Sequence, residues 1–229
     1  MSRMRKALAF GIGLAALTLA SQAQAQLAPP GAIFDLATTH PGVLSSYTQF
    51  TTSFVAAAPN TTVSFAFREI PAFFAFDDTA VTATGSSVNL LGNPGFESAV
   101  VGTNIPAGWG RFIQPVDVTA IGLVASNASP GGCSPNGAHS GSQFWCDGSV
   151  EGYDGLFQTI PTTVGQTYNI AFFLGDNSGS PPTIPGIDML VYAQNGLPTG
   201  TIPVGVPEPA SMALLSAGFL GLGAMRRRR

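Results

Sequence analysis

Hydrophobic and polar residues alternate along much of this chain with a period of two, the repeat of a β-strand that has one buried face. The pattern is clearest at residues 62–68, where Val63, Phe65 and Phe67 fall on one face. Turns rich in glycine and proline separate such runs, and short strands at regular spacing are typical of a β-sandwich or jelly roll. The sequence therefore predicts an all-β domain, with strands near residues 33–36, 45–57, 62–68, 73–81, 88–91, 116–124, 143–146, 155–160, 167–174 and 187–192.

Three acidic residues lie where predicted strands end. Asp77 and Asp78 belong to the run 73–81, and Glu97 follows the run 88–96. If these two runs pair as antiparallel neighbours, the three carboxylates lie together at one edge of a sheet. We therefore expect the domain to be organised around this stretch.

The charges are distributed unevenly between the ends of the chain and its body. Of the nine basic residues among 229, only Arg68 and Arg111 lie between residues 26 and 206, and the body contains no lysine. With eleven acidic residues, the body has a net charge of about −9, which repels nucleic acid and attracts cations. We therefore expect no nucleic-acid partner and no lysine nucleophile in the body.

The N-terminus has the three parts of a secretory signal peptide. Basic residues within Met1–Lys6 precede an apolar run at 7–20, and small residues follow it up to Ala25. A membrane-spanning helix needs about 20 apolar residues, and this run is shorter than that. We therefore expect a signal peptide at 1–25 and a linker at 26–32, with an uncleaved N-terminal anchor as the alternative.

The C-terminus combines a proline-rich motif, an apolar run and a basic end. The run at 210–225 is long enough for one short transmembrane helix, and the arginines at 226–229 favour the cytoplasmic side. The whole tail, 206–229, resembles the PEP-CTERM sorting signal of Gram-negative bacteria, whose sorting motif corresponds here to Pro207, Glu208 and Pro209. The resemblance implies anchoring in the inner membrane, processing by an exosortase-type enzyme and a link to exopolysaccharide and biofilm. A plain C-terminal anchor would leave the Pro-Glu-Pro motif unexplained.

Cys133 and Cys146 are the two cysteines of the chain. In an exported protein an even pair is most simply a disulfide, which would close a loop of about 14 residues and contribute about 3 kcal/mol. A metal site needs more ligands than these two, and an oxidising compartment disfavours a catalytic thiol. The predicted disulfide attaches the glycine-rich loop 131–142 to the strand that ends near Trp145.

The motifs of the body together resemble the galactose-binding-like jelly roll of many carbohydrate-binding modules. The segments VNLLGNPGFES, PAGW, AHSGSQFWC and GLFQTIPTTVGQTYNIAFFLGDN match the half that usually opens the domain. The segment from YTQFTTSF to FAFDDTAV matches the half that usually closes it. Here the closing half (33–83) precedes the opening half (88–200), which implies a circular permutation of one domain. The alternative is two incomplete sandwiches packed together, although about 50 residues alone bury little core.

The same resemblance implies a structural Ca²⁺ ion. Carboxylates and carbonyls are the hard oxygen ligands that Ca²⁺ prefers. The alternative is that the paired aspartates form an exposed strand end and that the glutamate lies in a solvated turn. The implied ligands are Glu97, Asp77 or Asp78, and the backbone near His139, Ser140 and Ser142.

Aromatic residues in loops are candidates for binding sugar rings, which stack on exposed aromatic side chains. The candidates are Trp109, Trp145 and Tyr153. Trp109 lies between glycines, whereas the position of Trp145 beside Cys146 favours packing in the core.

Catalytic motifs are not evident in the sequence. His40 and His139 lack a serine or cysteine partner in a recognisable elbow, and Glu151 with Asp154 is one of many pairs that fit a glycosidase. We therefore expect a non-catalytic, surface-sorted protein that binds a glycan of the extracellular polysaccharide matrix. A structural matrix protein or adhesin without a sugar pocket is the first alternative, and a glycan hydrolase is the second.

Overall fold

The computed structural model describes residues 30–44, 46–114, 121–183 and 186–199. The predicted signal peptide, most of the predicted linker and the predicted C-terminal helix with its basic end lie outside the described residues. None of the helices in the described ranges has the length and apolar character that a membrane span requires.

The described residues form a β-sandwich, which confirms the all-β prediction. The strands are β1 (Phe34–Asp35), β2 (Thr48–Val55), β3 (Asn60–Arg68), β4 (Phe74–Ala83), β5 (Gly110–Ile113), β6 (Gly122–Ser126), β7 (Gln143–Asp147), β8 (Asp154–Pro161), β9 (Thr167–Asp176) and β10 (Asp188–Gln194). Two short helical segments are α1 (Leu36–Thr39) and a single 3-10 turn at Gly131–Cys133. The first sheet has the strand order β1-β10-β3-β8-β5 and the second has the order β2-β9-β4-β7-β6, with every pair antiparallel.

Phenylalanine rings fill the space between the two sheets. Phe65 of β3 lies 4.9 Å from Phe76 of β4 and 5.8 Å from Phe172 of β9, measured between ring centroids. All three rings are fully buried. Burying one such ring contributes about 1.5–3 kcal/mol, and a well-oriented pair of rings adds about 0.5–1.5 kcal/mol. The inward residues of β3 thus pack against the second sheet. Because side chains alternate along a strand, Ser64 and Ala66 lie on the outer face of the first sheet.

The early and late portions of the body share both sheets. β3 lies between β8 and β10, and β4 lies between β7 and β9. Each of these central strands from residues 33–83 is therefore paired on both sides with strands from residues 88–200. Neither portion completes a sheet without the other. The derivation of this arrangement from a permuted galactose-binding-like domain stays a prediction.

The predicted strand at 88–91 does not form, and the runs 73–81 and 88–96 are not paired strands. The first part of β4 already pairs on one edge with β7 and on the other with β9. Further along, the Val81 N–H donates to Asn89 Oδ1 at 3.0 Å, and Asn89 Nδ2 donates to Thr79 O at 2.9 Å. Leu90 N–H adds one backbone hydrogen bond to Val81 O at 2.8 Å. The amide side chain of Asn89 thus replaces most of a strand ladder here.

Two strands differ from the sequence-based expectation on the later side of the chain. The predicted strand 116–124 is observed only from Gly122, as part of β6, and residues 115–120 lie outside the described ranges. β5 was not predicted because it has only four residues and begins at a glycine. Gly110 pairs with Phe157 of β8, whose ring fills the space that a Cβ at Gly110 would occupy.

Cys133 and Cys146 form the predicted disulfide, with their Cα atoms 5.8 Å apart. Both residues are buried, in a small cluster with Ala75, Ala125 and Phe144 on the outer side of the second sheet. The bond attaches the 3-10 turn to β7, and it therefore anchors the loop that leads to residues 139–143.

Replacing both cysteines by alanine should lower the free energy of unfolding by about 3 kcal/mol, because the cross-link restricts a loop in the unfolded chain. Guanidinium unfolding of the oxidised wild type and of Cys133→Ala/Cys146→Ala measures the loss. The double variant should be insensitive to dithiothreitol, which serves as the internal control. A loss below about 1 kcal/mol would show that the disulfide contributes little to stability.

Candidate functional site

The predicted acidic residues meet the loop 139–143 at an irregularity in β4. The pairing of β4 with β9 shifts register between Asp77 and Ala80, and Asp78 has a left-handed φ of 47°. Neighbouring residues of a regular strand point to opposite faces, but a bulge redirects one of them. Both aspartate side chains therefore reach the same loop.

Asp77 is fully buried and is held by backbone amides. The Asp78 N–H donates to its Oδ1 at 2.7 Å, and the N–H groups of His139 and Ser140 donate to its Oδ2 at 2.8 and 3.2 Å. Burial raises the pKa of Asp77 to about 7, although these hydrogen bonds oppose the shift. The three amides therefore offset only part of the free-energy cost of burying the charged form of Asp77.

Asp78 contacts the same loop through side chains. Its Oδ2 lies 2.6 Å from His139 Nδ1, and its Oδ1 accepts a hydrogen bond from Ser140 Oγ at 2.7 Å. The His139 ring stacks on Phe173 of β9 with the ring centroids 3.7 Å apart. The imidazole is therefore fixed between an aspartate and an aromatic ring.

Glu97 binds the far side of the loop from an exposed position. Its Oε1 accepts from the N–H groups of Ser142 and Gln143 at 2.7 and 2.8 Å, and its Oε2 accepts from Ser142 Oγ at 2.9 Å. Its slight burial raises the pKa, but the hydrogen bonds from Gln143 and Ser142 outweigh it and lower the pKa overall. Glu97 is therefore a charged acceptor that orders the loop.

The fit of this cluster to the expected Ca²⁺ ion is partial. The charge and the oxygen ligands suit a hard cation, and a carboxylate oxygen that accepts one hydrogen bond keeps a second lone pair. However, the loop directs amides rather than carbonyls toward Asp77 and Glu97. Within the described residues, no group of three His, Cys, Asp or Glu side chains is arranged to hold a metal ion. The calcium site stays a prediction.

The three aromatic residues predicted to bind sugar are buried in the structure, and this prediction is therefore wrong for them. Trp109 is 4% exposed and donates from Nε1 to Asn93 O at 3.0 Å. Trp145 is fully buried, with its Nε1 bonded to Asp147 Oδ2, and the hydroxyl of the equally buried Tyr153 donates to Asp188 Oδ2 at 2.7 Å. The polar atom of each ring donates to an acceptor inside the domain, so the three rings are part of its packed interior.

A different concave site lies on the outer face of the first sheet and has a volume of about 190 Å³. We call it the sheet pocket. Ser64 and Ala66 of β3 are small residues in its lining, and Ser64 pairs in the sheet with the larger Phe157 and Tyr192. Ser64 is 1% exposed, and its Oγ has no hydrogen-bond partner among the described residues. The pocket is lined by Ser64, Ala66, Phe112, Gln114, Tyr192 and Gln194, with Pro30, Pro198 and Thr199 at its rim.

The carboxylate pair considered for a glycosidase is not arranged around a cleft. Asp154 is fully buried and forms an ion pair with Arg111 at 2.6 Å, whereas Glu151 is exposed. Burial and then the neighbouring Asp154 raise the pKa of Asp147 well above its usual range. Asp154 therefore belongs to a buried charge network, and a substrate cannot contact it in this structure.

Sequence reasoning missed the sheet pocket and one buried acid, Glu69. Ser64 belongs to the outward positions of a well-predicted strand, and alternation alone does not distinguish a solvated hydroxyl from a buried one. Glu69 directly follows β3 and is fully buried, and among the described residues neither carboxylate oxygen has a partner at hydrogen-bond distance. The signal in the sequence is an acid that follows Arg68 in a largely apolar run before Pro71.

Comparison with known families identifies a PEP-CTERM protein-sorting motif at residues 205–229. The motif indicates an exported protein that is membrane-anchored, processed by an exosortase-type enzyme and sorted to the cell surface. No curated protein and no solved structure matches the chain.

Gly141 allows Glu97 to reach the loop, because a Cβ at Gly141 would clash with the glutamate carboxylate. Gly141→Ala should therefore lose both the ease of a left-handed φ of 62° and the hydrogen bonds of Glu97. Gly165→Ala is the matched control, since Gly165 has a φ of 82° but no neighbour within 4 Å of a Cβ.

Urea unfolding with chelator present measures both glycine variants. We expect a loss of about 1–2 kcal/mol for Gly165→Ala and at least about 1 kcal/mol more for Gly141→Ala. Equal losses would mean that Glu97 moves aside without cost and does not order the loop.

Proposed function

We propose that this surface-sorted protein binds a neutral glycan of the extracellular polysaccharide matrix through the sheet pocket. The observation that carries the proposal is the buried hydroxyl of Ser64, which has no hydrogen-bond partner among the described residues and belongs to the lining of a pocket with aromatic and amide walls. A buried hydroxyl without a partner costs about 1–3 kcal/mol, and a ligand hydroxyl in the pocket would offset this cost.

The walls of the pocket supply the two kinds of contact that a sugar needs. Phe112 and Tyr192 offer apolar ring surface to the C–H groups of a sugar ring. Gln194 and Gln114 offer amides for hydroxyl groups, and Gln114 is held in place because its Oε1 accepts the Tyr153 N–H at 3.1 Å. Neutral side chains alone line the site, which favours an uncharged ligand.

The size and the surroundings of the pocket narrow the ligand further. A volume of about 190 Å³ is below the roughly 300–1,000 Å³ of sites for drug-sized ligands, so the pocket suits one sugar unit. The net charge of about −9 on the body would repel an acidic polysaccharide at low salt. A terminal or branching neutral sugar of a matrix polysaccharide meets both conditions.

The sorting motif supports this assignment by location. A protein delivered to the cell surface meets polysaccharide at high local concentration, so even a weak site for one sugar unit is useful when many copies bind one polymer. A structural matrix protein without a sugar site and a glycan hydrolase are the other outcomes that the experiment below distinguishes.

The full-length protein in detergent micelles should bind neutral oligosaccharides on a glycan array, and acidic ones more weakly. Ser64→Ala should weaken binding about 2- to 10-fold through the loss of one hydrogen bond, and Tyr192→Ala should weaken it about 10-fold. Ser53→Ala, an exposed serine on β2 of the other sheet, is the control and should bind like wild type.

Three results would contradict the proposal. An array without any binding would favour the structural protein, and release of reducing sugar would favour the hydrolase. Binding that Ser64→Ala and Tyr192→Ala leave unchanged, while both variants keep the wild-type melting midpoint, would move the site away from the sheet pocket.

The proposal includes the structural Ca²⁺ ion at Asp77, Asp78 and Glu97. Bound Ca²⁺ should raise the melting midpoint. At a Ca²⁺ concentration one hundred times the dissociation constant, the free energy of unfolding should increase by about 2.7 kcal/mol. Glu97→Gln should lose part of this increase, whereas the exposed Glu151→Gln, which removes the same charge, should keep it. Scanning calorimetry with Ca²⁺ or with chelator measures the effect, and an identical increase in wild type and Glu97→Gln would argue against this site.

A further inference from the structure

Glu69 is a buried carboxylate that the described part of the fold supplies poorly with hydrogen-bond donors. It directly follows β3, and its backbone N–H donates to Ser149 O at 2.7 Å. Its side chain is 0% exposed, and within the described residues neither Oε1 nor Oε2 has a partner at hydrogen-bond distance, although the Ala72 amide approaches the carboxylate. By contrast, every carboxylate oxygen of Asp77, Asp78 and Glu97 accepts at least one hydrogen bond.

A second buried acid acts on Glu69. Asp176, the last residue of β9, is 4% exposed and repels Glu69 electrostatically. Burial and then this repulsion raise the pKa of Glu69 to about 9, and the nearby Ala72 amide opposes the shift only in part. The body has no lysine, and of its two arginines Arg111 is bound to Asp154 and Arg68 donates from Nε to Val150 O at 3.2 Å.

The segments that follow the two acids are joined to each other. Phe74, at the start of β4, pairs with Asp176 in the sheet register. Phe73 N–H donates to Asn177 Oδ1 at 2.9 Å, and Asn177 N–H returns a hydrogen bond to Phe73 O at 3.4 Å. The segment after Glu69 and the segment after Asp176 are therefore held side by side at one end of the sandwich.

A proton and a cation can each relieve the buried charge, but they differ in what they leave behind. A proton neutralises Glu69 but leaves the weak approach of the Ala72 amide as the one donor seen near its oxygens among the described residues, and an underpartnered buried polar group costs about 1–3 kcal/mol. A hard cation neutralises charge on both acids and coordinates the oxygens directly. The Asp176 carboxylate accepts from Ser178 N–H at 2.7 Å and Ser178 Oγ at 2.6 Å, and it keeps lone pairs for such a cation.

We propose that Glu69 and Asp176 bind a Ca²⁺ ion at the end of the sandwich, separate from the acids that contact the loop 139–143. Oxygen ligands and the excess of negative charge select a hard divalent cation. Because Ca²⁺ takes about six to eight oxygens, water and backbone carbonyls complete the coordination. Export places the protein where free Ca²⁺ is abundant enough for a site of modest affinity.

Equilibrium dialysis of the full-length protein in detergent against ⁴⁵Ca²⁺, with the melting midpoint in Ca²⁺ and in chelator, tests the site. We expect Glu69→Gln to bind one Ca²⁺ fewer than wild type and to lose part of the Ca²⁺-dependent increase in midpoint. Glu151→Gln should retain both, and Glu69→Gln/Glu97→Gln should lose more than either single variant if both calcium sites exist.

Opposite results would overturn the proposal. If Glu69→Gln binds as many ions as wild type and is as stable or more stable in chelator, then Glu69 is a protonated carboxyl and no cation binds there. If Glu69→Gln does not fold, Asp176→Asn takes its place. Amide hydrogen exchange of the wild type gives a further readout: Ca²⁺ should slow exchange at Ala72–Phe74 and Asn177–Ser178, and unchanged rates in these segments would refute the site.

Discussion

The packing of phenylalanine rings between two shared sheets is the interaction on which the rest of this structure depends. Phe65 and Phe67 extend inward from β3, Phe76 from β4 and Phe172 from β9, and all four are fully buried. Because β3 and β4 each lie between two strands from later in the chain, this core forms only when distant segments meet. Most of the contacts are therefore long-range, and the domain is expected to fold as one cooperative unit.

The body has an aromatic core and only two basic residues, so most of its acids must find hydrogen-bond donors other than a cation. Asp154 is paired with Arg111, Asp188 accepts from the Tyr153 hydroxyl, and Glu97 accepts from loop amides. These are three ways of supplying a donor to a carboxylate near a low-dielectric interior. Within the described residues neither oxygen of Glu69 has a partner at hydrogen-bond distance, whereas each of these three acids has at least one.

The sequence predicted more of the fold than of the site, and the reason is physical. Alternation along β3 depends on local spacing, so it identified the strand and its inward rings. The meeting of Asp77 with Glu97 at one loop was also predicted, but through a strand pairing that does not exist. A bulge and the side chain of Asn89 produce this convergence, and neither follows from periodicity.

Burial of a side chain depends on neighbours from other strands, which is why the sequence suggested an exposed Trp109 although it did favour core packing for Trp145. Trp109 lies between glycines in the sequence, yet it packs against Phe65 and Phe96 in the core. The residue that points to a binding site is instead a small polar one, Ser64 on the outward side of β3. Almost all of β3 is buried on both faces, so its outward residues are covered by a second apolar cluster around Phe112 and Phe157.

The sheet pocket is a gap in this outer apolar cluster, and the atoms that line it determine whether it is a packing defect or a binding site. If only apolar groups lined the gap at Ser64, it would be a packing defect whose cost falls as neighbours relax into it. A buried hydroxyl cannot be satisfied by that relaxation, because the neighbouring side chains must also supply a hydrogen-bond partner. The fold keeps this polar atom in the lining of a pocket, on a strand that is paired on both sides. A pocket of this kind is suited to a ligand that brings its own hydroxyl groups.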